Sequence, residues 1–338
     1  MSGAGGEIPY HLRTAKAADR RLFIDLLRRL ERWIPLDHHV YVSMGGYPMA
    51  DHHRVYRVLG LRNMLSFDED GAVVPRQAFN KPNKDCRCIE MASSDLVSNP
   101  RAAYSAAGIR DCPNHIVWLD YTKPSNLRQH LDDVVSLIRA SDEGDILRVT
   151  LNANPSAIRG AQHDLPKKAK QDARLATLRR ELGDYLPEDV ERSHISDKFY
   201  PKLLVRILRN ALSSAVAANL RVVPVSIVTY ADGHRMVAAT MVVVSGESSV
   251  GEPHQKAKLQ YWPLASRRWD EIHDLRIATL TSRERAHLDF NLPTVPALTL
   301  LKGLKFSLFP DMGIEDAAAY LDRYEGLLRF YPNFLAVD

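Results

Sequence analysis

The sequence predicts an α/β protein built on a mostly parallel sheet that ends in an antiparallel hairpin. Five short apolar runs alternate with helical stretches or long connections over residues 39–155. This alternation is typical of a doubly wound sheet with helices on both faces. Two β-rich runs then flank Ala231, Asp232 and Gly233, and an Asp-Gly pair between such runs indicates a hairpin turn.

The helices are predicted from apolar residues at helical spacing. Residues 17–33 place leucines and Trp33 on one stripe beside an arginine-rich face, which predicts an amphipathic helix ahead of the first strand. Residues 51–60 follow the first strand, and Gly60 is a suitable C-terminal cap for a second helix. Residues 156–218 are charged and helical in pattern, with no convincing strand.

Polar residues or glycines stand where each of the first four strands ends. In open α/β sheets ligands bind outside the carboxyl ends of the strands, so these positions are site candidates. They are, in chain order, Ser43 with Gly45 and Gly46, Asp68 with Glu69, Ser94 with Asp95, and Asp120 with Tyr121.

The end of the fourth predicted strand is the clearest of these site candidates. Residues 116–119 are all apolar, which fits a strand covered on both faces, and Asp120 follows them directly. A carboxylate at that edge predicts a functional role. The alternative is that Asp120 only caps the next helix.

The first three strand ends together predict a nucleoside pocket. The Gly45 and Gly46 turn lets the backbone approach a ligand closely. An acid about twenty residues further on, Asp68 or Glu69, is placed to bind ribose hydroxyls. Each feature also has a purely structural interpretation, because glycine pairs mark turns, acids occupy solvated turns, and the Ser94 and Asp95 pair suits a helix N-terminus.

Composition and charge narrow the class of protein. The net charge of +4, from 45 basic and 41 acidic residues, is compatible with nucleic acid without requiring it, and the basic run at residues 165–183 is best explained as a solvated helix face. Three cysteines fit neither a disulfide framework nor a zinc pattern, and no apolar run reaches bilayer length. We therefore expect a cytoplasmic protein with no metal site and no membrane contact.

Four segments follow from these patterns. Residues 1–38 form an N-terminal helical segment, and residues 39–155 together with 219–250 form the core of the fold. Residues 156–218 form a helical insertion that could serve as a lid or as an acceptor surface, and residues 251–338 form a C-terminal α/β extension that includes a strand-like stretch, "LQYWPL".

Four stretches carry a resemblance to a known family: "YVSMGGYPMADHHRVYRVLG", "MLSFDEDGAVVPRQAFNKP", "RCIEMASSDLV" and "IVWLDYTKP". Their order, followed by a terminal hairpin, resembles the Rossmann-like class I S-adenosylmethionine-dependent methyltransferases. Within that class the chain is most similar to a group of bacterial O-methyltransferases. The resemblance covers residues 39–155 and 220–246.

The resemblance implies methyl transfer from S-adenosylmethionine to an oxygen nucleophile, with no metal required. The acceptor is unknown and could be a small molecule or an anionic or nucleic-acid substrate; the oligomeric state is not predicted. The implied roles are the cofactor loop for Ser43, Gly45 and Gly46, ribose binding for Asp68 with Glu69, adenine contact for Ser94 and Asp95, a base or orienting acceptor for Asp120, and shaping of the entrance for Tyr121.

Two departures from the family pattern keep other functions open. The glycine loop is reduced to "SMGGYP", with Ser43 where an acid is usual, and "DYTKP" lacks the motif of enzymes that methylate amino groups. A catalytically inactive scaffold with the same sheet is one alternative. A nicotinamide-dependent oxidoreductase is another, disfavoured because the third glycine of its fingerprint is missing.

Overall fold

A computed structural model describes residues 13–121, 126–160, 164–249, 251–277, 280–292, 294–327 and 330. One sheet runs through these residues. Its strands are β1 (His39–Ser43), β2 (Met64–Asp68), β3 (Arg87–Glu90), β4 (Asn114–Asp120), β5 (Ile146–Asn152), β6 (Leu220–Asp232), β7 (His234–Ser245) and β8 (His273–Asp274). They are ordered β3-β2-β1-β4-β5-β7-β6-β8 across the sheet.

The helices cover both faces of this sheet. In chain order they are α1 (Thr14–Leu30), α2 (Ala50–Leu59), α3 (Val74–Asn80), α4 (Ser93–Ser98), α5 (Pro100–Ala106), α6 (Leu127–Arg139), α7 (Lys167–Leu182), α8 (Tyr200–Ser213), α9 (Glu252–Lys256), α10 (Ser282–Asn291), α11 (Ala297–Gly303) and α12 (Ile314–Leu327).

The predicted fold class is confirmed. Strands β1 to β5 pair in parallel, and β7 pairs antiparallel with both β5 and β6. The hairpin turns at Gly233, whose φ of 77° lies in the left-handed region where glycine is favoured. The helix predicted from residue 51 ends at Gly60, which has a φ of 70° and donates its N–H to the carbonyl oxygen of Tyr56.

Successive side chains of the central strands enter different cores, as the period of two requires. Tyr41, Ile116 and Trp118 pack on the face covered by α1, α2 and the C-terminal helices. Val42 and Val117 pack on the face covered by α4, α5, α6, α7 and α8. Each central strand is therefore buried on both sides, which explains its unbroken apolar sequence.

The segment at residues 156–218 contributes to the second of these cores. Leu204, Ile207 and Leu208 of α8 are buried there, and so are Leu175 and Leu178 of α7. Helix α8 thus belongs to the helical layer that covers one face of the sheet. A role of this segment as a lid or acceptor surface stays a prediction.

One local prediction is wrong. The stretch "LQYWPL" does not form a strand: residues Leu259–Tyr261 make a 3₁₀ turn. Leu259 and Trp262 are buried in the core beneath α1, so their apolar character serves packing rather than strand pairing. The short β8 comes instead from the polar pair His273 and Asp274, beside β6. Within the described ranges, no helix combines the length and apolar character needed to cross a bilayer.

Candidate functional site

The sheet brings Ser43, Asp68 and Asp120 to one edge and one face. Strand β1 lies between β2 and β4, and Ser43 is in register with Ser66 on one side and Trp118 on the other. Asp68 and Asp120 each stand two positions beyond those partners, so both side chains lie on the α1 and α2 face with Ser43. Their strands are about 10 Å apart, twice the usual strand spacing. A ligand across the end of β1 would lie between the two acids.

The turn after β1 requires glycine at position 45 for two reasons: its backbone has a positive φ, and a side chain there would clash with its neighbours. Gly45 and Gly46 have φ values of 57° and 53°, a region that disfavours other residues. A Cβ on Gly45 would lie 2.4 Å from Ser66 Oγ and 3.1 Å from both His52 Cε1 and Met49 Sδ. The turn therefore rests directly on the residues beneath it and presents bare backbone on its other side.

An acid that the sequence analysis did not single out supports this turn. Asp51, in the first turn of α2, is buried, and its Oδ2 accepts hydrogen bonds from Tyr41 Oη (2.8 Å) and from Ser43 Oγ. Its Oδ1 lies 3.3 Å from His52 Nδ1. Ser43 Oγ in turn accepts the Gly45 N–H at 3.2 Å. The acid expected at position 43 is absent, and a carboxylate from the next helix supports the turn instead.

The Asp51 and His52 side chains form a buried ion pair. Burial raises the pKa of Asp51, but the charge and hydrogen bond of His52, the charge of Arg20 and the Ser43 hydrogen bond outweigh it, so the net pKa lies below the usual aspartate range. Burial lowers the pKa of His52, but the charge and hydrogen bond of Asp51 outweigh it, and the net pKa is raised. Each charge stabilises the other under the glycine turn.

The candidate ribose acids differ in their surroundings. Asp68 is half-buried, and its Oδ1 accepts the N–H of Asp70 at 2.9 Å, while Glu69 is exposed. Ser94 and Asp95 are exposed in the first turn of α4, and the residue that flanks this helix is Ala92. Neither Ser94 nor Asp95 is therefore the residue that caps the helix.

Asp120 has one carboxylate oxygen that is paired and one that has no partner among the described residues. Its Oδ2 accepts a hydrogen bond from Lys16 Nζ of α1. Its Oδ1 is buried, and no donor in the described part of the chain reaches it. The residue flanking α6 is Asn126, so Asp120 is not the cap of that helix. The buried Oδ1 is therefore an unsatisfied hydrogen-bond acceptor at the end of β4.

The contacts of Tyr121 lie on the other face of the sheet from Asp120. As the residue after Asp120 it points to the opposite face, where it is buried with α6. Its hydroxyl donates to Asp133 Oδ2 at 2.7 Å, and its ring stacks on His130 with centroids 4.0 Å apart. Because Ser93 Oγ donates to the same Asp133 oxygen, at 2.7 Å, this carboxylate links the ends of β3 and β4. The described contacts of Tyr121 are thus with α6, and its part in shaping the entrance stays a prediction.

Metal ligands are not clustered in the described residues: no group of three or more His, Cys, Asp or Glu side chains there is arranged to hold an ion. The groups described at this edge of the sheet are glycine backbone, hydroxyls and carboxylates. These groups suit a polar organic ligand with hydroxyl groups.

Comparison with known proteins assigns the family. A family model described as "Putative O-methyltransferase" matches residues 8–338. The chain belongs to this family, and the class predicted from the sequence, an S-adenosylmethionine-dependent methyltransferase, is confirmed. No protein with a curated description matches the sequence closely enough to count as similar.

Solved structures that are similar to this chain are distant. Trm1 from Pyrococcus horikoshii, solved with S-adenosyl-L-methionine, is 12% identical with a TM-score of 0.44; the match covers 76% of this chain and 60% of Trm1. The O-methyltransferase TomG from Streptomyces achromogenes, solved with S-adenosylmethionine, is 10% identical with a TM-score of 0.38, covering 70% and 91%. An O-methyltransferase from Bacillus cereus, solved with S-adenosylhomocysteine, is 9% identical with a TM-score of 0.35, covering 66% and 80%.

Proposed function

We propose that this chain binds S-adenosylmethionine along the edge formed by the ends of β1 to β4 and methylates an oxygen nucleophile held beside Asp120. The observation that carries the proposal is Asp120 Oδ1, a buried acceptor without a donor among the described residues, on the same face as Ser43 and Asp68. A buried carboxylate oxygen is costly to leave unpaired, so a ligand donor at this position would stabilise it.

The residues present fit the cofactor. The Gly45 turn offers backbone with no side chain in the way, and beneath it there is no room for one. Half-buried Asp68 stands one strand further along and can accept hydrogen bonds from ribose hydroxyls. Ser94 and Asp95 follow β3, where they can contact the adenine edge.

The chemistry needs alignment and one proton acceptor. When bound, S-adenosylmethionine supplies a methyl group on a sulfonium; the acceptor oxygen forms the new C–O bond as the C–S bond breaks, which leaves a neutral thioether. Asp120 would orient the acceptor hydroxyl through Oδ1 and take up its proton. The rest of the edge holds the reactants and contributes no covalent step.

The acceptor is proposed as an oxygen compound, because the family is one of O-methyltransferases. Whether it is a small molecule or a nucleic acid stays a prediction from the sequence. The cytoplasmic location inferred from the three cysteines also stays a prediction, as does a bacterial origin.

Two substitutions test the proposal because they affect different steps. Asp68→Ala should weaken S-adenosylhomocysteine binding by about 1.5–3 kcal/mol, the scale of a hydrogen bond to a charged group. Asp120→Asn should leave that binding nearly intact and slow methyl transfer by about 10²-fold or more, the range of general-base effects. Transfer would be followed as S-adenosylhomocysteine formation with a panel of phenols, carboxylic acids and tRNA.

Glu69→Ala tests the other candidate ribose acid. It removes the neighbouring, exposed acid, so its effect on S-adenosylhomocysteine binding should be within about twofold of the parent, the range of surface substitutions. Equal binding by Asp68→Ala and the parent would remove the ribose assignment. Normal turnover by Asp120→Asn would show that the Asp120 carboxylate has a structural role only.

A further inference from the structure

The N-terminal helix reaches the edge at which we place methyl transfer. Lys16, in the first turn of α1, donates a hydrogen bond to Asp120 Oδ2 although 104 residues separate the two in sequence. Only 6% of the Lys16 side chain is exposed, against 23% for Asp120. The lysine nitrogen also lies 5.4 Å from the centroid of the Trp118 ring, within the range of a cation–π contact. Lys16 is therefore held on two sides, by the acid and by the ring two residues before it.

We propose that Lys16 is a positioning residue of the methyl-transfer site: it holds Asp120 through Oδ2, leaves Oδ1 without a protein partner so that it can accept from the methyl acceptor, and balances the charge of the carboxylate. The proposal rests on the function proposed above. A buried lysine needs a partner, because transferring an unpaired ammonium out of water is costly. The same hydrogen bond gives the buried lysine its partner and holds the Asp120 carboxylate in place.

A second ion pair joins the same helix to the sheet next to Lys16. Asp19, one turn after Lys16, pairs with Arg148 of β5, and their side chains are 1% and 2% exposed. Arg148 also donates to Thr240 Oγ1 at 2.6 Å, and its Cζ lies 5.0 Å from the centroid of the Trp118 ring that Lys16 also contacts. Because the two pairs share this ring, the Asp19 and Arg148 pair anchors α1 to β5 but is not an independent control for Lys16.

The charges at the edge can be measured with two ligands that differ at the reacting atom. S-adenosylmethionine carries a positive sulfonium where S-adenosylhomocysteine carries a neutral thioether. If Lys16 and Asp120 face that atom, the ratio of the two dissociation constants reports their combined charge. This ratio needs no acceptor and no turnover.

The experiment is calorimetry of both ligands with the full chain and its variants. Asp120→Asn leaves the lysine unbalanced and should weaken S-adenosylmethionine relative to S-adenosylhomocysteine by about fivefold, on the scale of one charge at a few ångströms. Adding Lys16→Met to Asp120→Asn removes both charges and should return the ratio to within about twofold of the parent. Removing both partners of a buried pair is better tolerated than removing one, so the double variant should fold.

Two further variants complete the test. Lys16→Arg keeps the charge and should keep the parent ratio. Asp25→Asn removes one acid from the same helix, where Asp25 Oδ2 lies 3.0 Å from Arg29 Nε, and this single-charge change should leave the ratio unchanged.

Equal ratios in Asp120→Asn and in its double variant with Lys16→Met would overturn the inference, as would a shift of the same size in the Asp25→Asn control. The function itself fails separately. If the parent chain binds neither ligand, the cofactor site is wrong and the role of Lys16 falls with it. If both ligands bind with ratios that no variant changes, the cofactor site stands, but neither Lys16 nor Asp120 lies beside the transferable methyl group.

Discussion

Asp51 accepts a hydrogen bond from Ser43, and this contact joins the first turn of α2 to the end of β1 directly beneath the glycine turn. Ser43 connects this contact to the glycine turn, because its Oγ accepts a hydrogen bond from the Gly45 N–H at 3.2 Å. The serine thus supports the turn without supplying a charge of its own. The negative charge comes from Asp51, which His52 balances.

Ser43→Ala should therefore disturb both stability and cofactor binding. It removes a buried hydrogen bond to a carboxylate, worth about 1.5–3 kcal/mol of unfolding free energy, and leaves the Gly45 N–H without its acceptor. We expect S-adenosylhomocysteine affinity to fall by about tenfold. Ser66→Ala is the control on the paired strand position, since Ser66 Oγ is buried without a hydrogen-bond partner in the described residues. Equal losses in denaturant melts of the two variants would argue against the relay.

Gly45→Ala should cost more than the same change at Gly60. Both glycines have positive φ, 57° and 70°, so both variants carry the backbone penalty of about 1 kcal/mol. At Gly60 a Cβ meets nothing within 4 Å, whereas at Gly45 it meets Ser66 Oγ at 2.4 Å. The difference between the two unfolding free energies measures the crowding beneath the turn. Adding Ser66→Ala should recover part of the Gly45→Ala loss; no recovery would mean that backbone strain alone explains it.

The Asp51 and His52 pair should give stability a specific pH dependence. The pKa of His52 is raised in the folded chain, so its contribution is fully present below the ordinary histidine value of about 6.5 and is lost as pH rises through the raised value. Because the pKa of Asp51 is lowered, the contribution of Asp51 to the unfolding free energy is retained until the pH falls below about 4. The unfolding free energy of the parent minus that of His52→Gln should therefore stay constant up to about pH 6.5 and shrink as the pH rises above that value.

His115 provides a control of opposite sign. Burial lowers its pKa, and the charge of Asp145 offsets this only in part. Its contribution is therefore present above about pH 6.5 and is lost as pH falls. The parent minus His115→Gln difference should grow as the pH rises towards about 6.5. Slopes of the same sign for the two histidines would contradict the buried ion pair under the glycine turn.

Tyr121→Phe should separate packing from catalysis. The change removes a hydrogen bond to buried Asp133, which keeps its contacts with Ser93 and Gln129, and should cost about 1.5–3 kcal/mol of unfolding free energy. S-adenosylhomocysteine binding and methyl transfer should stay within about twofold of the parent. A loss of turnover as large as that of Asp120→Asn, with binding intact, would return Tyr121 to the reacting site.

Local sequence was enough for the parts of the fold that local pattern controls. The unbroken apolar run before Asp120 fixed a two-sided strand and placed the acid at its end, as the structure has it. The polar pair that forms β8 has no such pattern, because its pairing depends on β6, about 45 residues earlier. The stretch around Trp262 is apolar for packing alone. Both misreadings arise where tertiary contacts, not periodicity, decide the backbone.

The partners of the candidate site residues could not be predicted in the same way. Lys16 lies one residue before the amphipathic helix that the sequence predicts at residues 17–33, and only the packing of α1 on the sheet brings it to Asp120. Asp51 stood in a predicted helix with no sign that its carboxylate returns to Ser43. Asp133 links the ends of two strands from the middle of α6. For Asp51 the sequence gives its place, an acid in a first helical turn after a glycine pair, but not its hydrogen-bond partner.

The most direct test of the account is calorimetric titration of the full chain with S-adenosylmethionine, S-adenosylhomocysteine and NAD, repeated with Asp68→Ala. The account predicts saturable binding of the first two ligands, none of the third, and a loss of roughly tenfold or more in Asp68→Ala, the size of one hydrogen bond to a charged group. Binding of NAD in place of the methyl donor, or binding of none of the three, would contradict a cofactor site at this edge of the sheet.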